Sequence, residues 1–106
     1  MRSRTNQVSG VAEMLVLRCL SEREMYGYEL VQAVRELSNG ELDMRESLLY
    51  PLLHGLMADG CLGRKATVAN GRQRLYYRLT AKGRRRLEAM IEEWRGMVKA
   101  VNRVIG

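Results

Sequence analysis

The feature that most limits what this chain can fold into is the change of period at Gly60. Before it, apolar residues recur at helical spacing: Leu49, Leu52, Leu53 and Leu56 stand at i, i+3, i+4 and i+7. After it, residues 61–68 and 73–79 read as strands, with Ala69, Asn70 and Gly71 between them. Asn-Gly between strand-like runs signals a hairpin, because a type I′ turn needs positive φ at both central residues. The helical period then returns. Thr80 caps a last helix over residues 81–105. A 106-residue chain with this order is mainly α with one small β-hairpin.

Three helices precede the hairpin. Residues 8–22 are apolar almost all round, so that helix is buried on more than one side. In so small a chain, one of those sides, with Leu15 on it, is a candidate to face a second subunit. Residues 1–7 are polar, carry Arg2 and Arg4, and read as a flexible arm. Residues 26–37 place Leu30, Ala33, Val34 and Leu37 on one stripe, and Asn39-Gly40 ends the helix. After a short extended link, a third helix starts near residues 45–47. Pro51 has no N–H and belongs near a first turn, and Gly60 is a natural stop. Opposite the leucines, Ser47, Tyr50 and His54 share a face at i, i+3 and i+7. Their hydroxyls and imidazole can bond phosphates or base edges. An ordinary amphipathic helix would show such a face to water as well.

Net charge is +6, which favours a polyanionic partner, either nucleic acid or an anionic membrane surface. The hairpin holds Arg64, Lys65, Arg72, Arg74 and Arg78. Such a ribbon can lie along a phosphate backbone or enter a minor groove; the other reading is a hairpin kept soluble by its charges. Arg84, Arg85 and Arg86 open the last helix, where they oppose its macrodipole. That points to another use, such as phosphate contact. Further along, Leu87, Met90, Ile91, Trp94, Met97, Val98, Val101, Val104 and Ile105 fall within an arc of ~140°. So long a stripe exceeds what the rest of the chain can cover, and its natural cover is a second copy.

Other chemistries find little support. Cys19 and Cys61 lack metal-ligand spacing, so no metal and no cofactor is expected. His54 is the only histidine and has no carboxylate at i±3 or i±4 to orient it, so no catalytic residue is assigned. Glu13 and Arg18 interrupt the N-terminal apolar run, and no run approaches ~18 apolar residues. The expectation is a cytoplasmic protein with no membrane partner.

Helix, helix, helix, basic hairpin, long helix is the order of a winged helix-turn-helix domain with a dimerisation tail. Three blocks narrow the match: MYGYEL at 25–30, SLLYPLLHGLMADGCL at 47–62 and GRQRLYYRLTAKG at 71–83. They resemble the signature blocks of the PadR family of bacterial transcriptional regulators, in order and spacing, from about Val11 to Trp94. The single last helix is similar to that of the small PadR subfamily. The resemblance implies a DNA-binding unit over residues 1–80 and a C-terminal dimerisation helix over 81–106. It also implies a homodimeric, ligand-responsive repressor on a two-fold double-stranded DNA operator. Residues matching Ser47, Tyr50 and Pro51 would face DNA, and those matching Arg72 and Arg74 would contact phosphates. His54, Lys65 and Arg84 join that set from the reading of the residues themselves. A small planar aromatic or hydrophobic effector is implied at the dimer interface near Trp94. Leu15, Met90, Met97, Val98 and Val101 make up the rest of that candidate surface. Gly55 and Met57 depart from the family's usual Arg or Lys and Glu, which bears on operator preference. The competing function is a winged-helix protein-interaction module that meets an acidic partner.

Overall fold

The computed structural model describes the backbone of residues 4–106 and the side chains from Gly10 onward. Its elements are α1 (Arg4–Leu20), β1 (Met25–Tyr26), α2 (Gly27–Leu37), α3 (Glu46–Ala58), β2 (Leu62–Ala69), β3 (Arg72–Leu79) and α4 (Ala81–Ile105). The strands form one antiparallel sheet in the order β1-β3-β2. This is a winged helix-turn-helix with a long C-terminal helix: α2 and α3 are the helix pair and β2–β3 is the wing.

The core gathers one face from every helix. Val16, Leu17, Leu30, Leu49, Leu53 and Leu56 are fully buried or nearly so, with Tyr77 and Cys61 from the sheet side. At ~1.5–3 kcal/mol per buried side chain, these contacts dominate the stability. α1 buries Ala12, Val16, Leu17, Cys19 and Leu20, which accounts for its lack of a polar face.

The hairpin turns at Asn70 (φ 53°) and Gly71 (φ 73°), the paired positive angles of a type I′ turn. Ala69 pairs with Arg72 as the last rung, so the turn has two residues and Ala69 belongs to the strand. β1 has no counterpart in the periodicity reading. It pairs Met25 with Tyr77 and Tyr26 with Tyr76 only, so β3 from Arg72 to Leu75 has no strand on that side.

Four further expectations are revised. α1 already includes Arg4–Gln7, where a flexible arm is expected; no Pro or Gly interrupts those residues, and Met1–Ser3 lie outside the described residues. Pro51 is the sixth residue of α3, beyond its first turn, so the Ser47 carbonyl receives no N–H from it. The helix absorbs this on its exposed side. Leu37 stands 74% exposed in the last turn of α2, past the edge of the core. Arg86 does not point to solvent with Arg84 and Arg85; it pairs with Glu13 and Asp59.

α4 is seated against the junction of α3 and β2. Thr80 Oγ1 accepts from the Gly83 N–H at 3.1 Å and donates to the Gly60 carbonyl at 2.7 Å. A Cβ at Gly83 would overlap the Cys61 carbonyl oxygen. Gly55, by contrast, is a mid-helix glycine with open space around it. Gly55→Ala should therefore raise stability by about 1 kcal/mol. Gly83→Ala should lower it by about 1–3 kcal/mol. Urea unfolding of both variants checks this; a Gly83→Ala variant as stable as the wild type would show that α4 is not held by this contact.

Candidate nucleic-acid interface

The outward face of α3 is built by its own period. At 100° per residue, Ser47, Tyr50, Pro51 and His54 fall within ~100°, opposite buried Leu49, Leu53 and Leu56. All four of these candidates are exposed. Tyr50 is the least free of them. Its ring lies across the start of α2, and the hydroxyl is 2.6 Å from where a Cβ on Gly27 would stand. Only glycine at 27 leaves that space. Partial burial, with Glu46 and Tyr77 nearby, pushes the Tyr50 phenol above its ordinary pKa. The hydroxyl therefore keeps its proton at neutral pH and can donate.

The wing sorts its charges by strand alternation. The pairs Gly63–Arg78, Lys65–Tyr76, Thr67–Arg74 and Ala69–Arg72 share the face turned away from the core. Buried Leu62 and Tyr77 mark the other face, and Arg64 lies on it opposite Tyr77. Four of the five basic side chains of the hairpin thus project from one side.

These cations are not equivalent. Arg74 stacks its guanidinium 4.3 Å from the centroid of the Tyr26 ring, and Tyr26 meets Tyr76 edge-to-face at 5.4 Å. Such a cation–π contact fixes the guanidinium without neutralising it. Lys65 approaches Glu24 at 3.8 Å with both side chains well exposed, a contact worth little in water. Arg78 runs over Gly63, where a Cβ would come 2.8 Å from its Nε. Arg72 is exposed at the turn.

An open cleft separates the wing from the start of α2, lined by Tyr26, Tyr28, Arg72, Gln73 and Arg74. Tyr26, Tyr28 and Gln73 are absent from the sequence-based candidates. The signal for Tyr28 was the Tyr-Gly-Tyr at the head of α2, which places an aromatic hydroxyl on each side of the glycine that receives Tyr50. The Tyr28 hydroxyl accepts from Gln32 Nε2 at 3.0 Å, which leaves its proton to donate outward. The start of α2 thus adjoins Tyr50 of α3 on one side and the wing arginines on the other.

Arg84 is exposed but belongs to another part of the molecule. Its N–H bonds Thr80, whose hydroxyl holds Gly60 at the far end of α3 from Ser47. α3 is ~20 Å long, which separates Arg84 from Ser47 at its other end.

The second candidate surface divides in two. Leu15 and Met90 pack partly against the chain's own core. Trp94, Met97, Val98 and Val101 are 37–54% exposed, and Val104 and Ile105 are more so. The molecule measures 55 × 29 × 24 Å, and nothing within the described chain covers the outer half of α4. Among the described residues no cluster of His, Cys, Asp or Glu could hold a metal, and no helix is long and apolar enough to cross a membrane.

Known proteins share this arrangement. The transcriptional regulator PadR-like family matches residues 16–89. The transcriptional regulator Rv3488 of Mycobacterium tuberculosis is 35% identical over 91 residues, which span 86% of this chain and 79% of that protein. A transcriptional regulator from Clostridium thermocellum superposes with a TM-score of 0.88 at 25% identity, over 95% of this chain and 99% of its own. A PadR family transcription regulator from Clostridium difficile gives 0.78 at 29% identity, over 89% and 97%. The match extends from α1 into α4 and carries the wing and the α2–α3 pair with it: the chain belongs to the PadR-like family of transcriptional regulators.

Proposed function

We propose that the protein is a ligand-responsive repressor that binds a two-fold duplex DNA operator as a homodimer. Residues 1–80 bind DNA and residues 81–106 join the two copies. The observation that carries this reading is the adjacency at the start of α2. Tyr50 rests on Gly27, Tyr28 follows it, and Arg72 and Arg74 line the same cleft. A helix face able to read base edges and a cationic ribbon able to hold backbone thereby flank one shared element. Ser47, Tyr50, Pro51 and His54 meet the groove, and Lys65, Arg72 and Arg74 meet phosphates. Arg84 is left to flanking DNA. The exposed stripe from Trp94 to Ile105 supports self-association, since an uncovered apolar face of that length favours a partner.

Selection from a random duplex pool tests the reading; a pool that yields no preferred duplex would refute it and favour a protein partner. On the selected site, Arg72→Ala and Arg74→Ala should weaken binding to all duplexes and reduce the salt slope by roughly one each. Tyr50→Ala should cost ~1–3 kcal/mol, mainly on the preferred site. Gly27→Ala should mimic it by displacing the Tyr50 hydroxyl. Equal losses on specific and random DNA in all four variants would remove the base-reading role from α3.

Truncation after Ala89 removes the outer stripe and should abolish dimers in sedimentation; a stable truncated dimer contradicts the role given to the tail. In the dimer, Trp94 is flanked by Met90 and Met97 at i−4 and i+3, deformable neighbours suited to a guest. A planar hydrophobic compound should quench Trp94 and weaken operator binding by roughly 5–150-fold, with DNA weakening the compound's binding by the same factor. Quenching with the same affinity in the presence and absence of operator would make Trp94 a bystander.

A further inference from the structure

From Glu92 to its end, every residue of α4 is exposed, so the direction in which the tail leaves the winged unit is set between Ala81 and Ile91. On the core side of the helix there lie the close approach of Gly83 to Cys61, the burial of Leu87 and the partial burial of Met90 and Ile91. Apolar contacts along that line of the helix fix how near it lies but are non-directional, so they set its sideways angle less sharply than a hydrogen-bonded ion pair does. The one charged side chain on the flank of that line, among the described contacts, is Arg86. Its Nη2 meets Glu13 Oε1 of α1 at 2.6 Å, and its Nη1 meets Asp59 Oδ2 at the C-terminal cap of α3 at 2.9 Å. Nη1 also approaches Cys61 Sγ at 3.7 Å. One guanidinium thus joins the tail, the first helix and the end of α3.

We propose that Arg86 is a positioning residue that sets the angle between tail and winged unit, and with it the half-site spacing the dimer accepts. This rests on the dimeric DNA-binding reading above. A guanidinium is planar and presents its donors in a rigid fork, so two carboxylates bound to it hold a fixed relation to α4. Glu13 is mostly withdrawn from solvent, its side chain 18% exposed, and that shelters one arm of the fork from screening. The lever is long: Arg86 to Ile105 is ~28 Å of helix, and a tilt of ~10° moves its end ~5 Å. That exceeds the ~3.4 Å rise of one base pair. Arg86 therefore acts on operator choice without touching DNA.

The test uses the full chain. The duplex selected by the wild type is rebuilt with its half-sites one or two base pairs closer or farther apart, and affinities are read by fluorescence anisotropy. The wild type should lose roughly tenfold per misplaced base pair. Arg86→Met keeps the apolar stem and removes the fork. Arg86→Lys keeps the charge but cannot span both carboxylates. Both should flatten the spacing profile to within about threefold, with salt slope and random-duplex affinity unchanged. Glu13→Gln combined with Asp59→Asn, nearly isosteric, should flatten it too and stands in if an Arg86 variant fails to fold. Folded, dimeric variants with the wild-type profile would overturn the proposal. So would a salt slope lowered by one in Arg86→Met and kept in Arg86→Lys, which would place Arg86 on a phosphate. A wild type with no preferred duplex would overturn the DNA-binding reading and this proposal together, whereas a sharp wild-type profile shared by all variants strikes at Arg86 alone.

Discussion

Everything outside the core hangs on the place where α4 meets the Cys61 carbonyl with no side chain between them. The Thr80 N–H donates to that carbonyl at 3.1 Å, and Gly83 presses against it. The Thr80 hydroxyl holds the Gly60 carbonyl and the Gly83 N–H in the first turn of α4 at once. The end of α3, the start of β2, the end of β3 and the start of α4 are therefore pinned within one turn of chain. The helix that faces outward, the wing and the tail all depart from that node. Their points of departure are set by a few backbone groups, and the Arg86 fork beside them is the side-chain contact proposed to fix the angle of the tail.

The sequence was most readable where local chemistry decides the structure. Asn70-Gly71 can hardly do anything but turn, and the strands beside it end within a residue of the periodicity boundaries. Thr80 and the long stripe of α4 place that helix without help from the rest of the fold. What escaped was made by distant partners. β1 is two residues long, too short for any period, and exists because Met25 and Tyr26 find Tyr77 and Tyr76 fifty residues on. Pro51 marked the wrong turn of α3, since an exposed helix side can lose one backbone bond where a buried side could not.

The candidate site shows the same division. Its residue types were legible, but their freedom was not. Arginines that look alike in sequence have different surroundings: Arg74 lies on an aromatic ring, Arg78 over a glycine, Arg86 between two carboxylates, and Arg72 in solvent. Net charge counts all four equally, yet only those without a carboxylate beside them keep their full field for a polyanion. Of the consecutive Arg84, Arg85 and Arg86, the first and third stand at similar angles on either side of the Gly83–Leu87 line, and the third is the one whose flank meets carboxylates, Glu13 and Asp59.

The brevity of β1 has one more consequence. It leaves half of β3 with backbone N–H and C=O groups facing no strand, the kind of border along which sheets of separate molecules can join. The open stretch runs from Arg72 to Leu75, with two arginines in four residues and Leu75 partly exposed. A second molecule adding its own β3 there in parallel register would set Arg72 against Arg72 and Arg74 against Arg74. The guanidiniums that give the wing its attraction for polyanions thus also act as gatekeepers against runaway sheet growth. Replacing both by apolar residues would remove the proposed DNA contacts and an aggregation barrier in a single step.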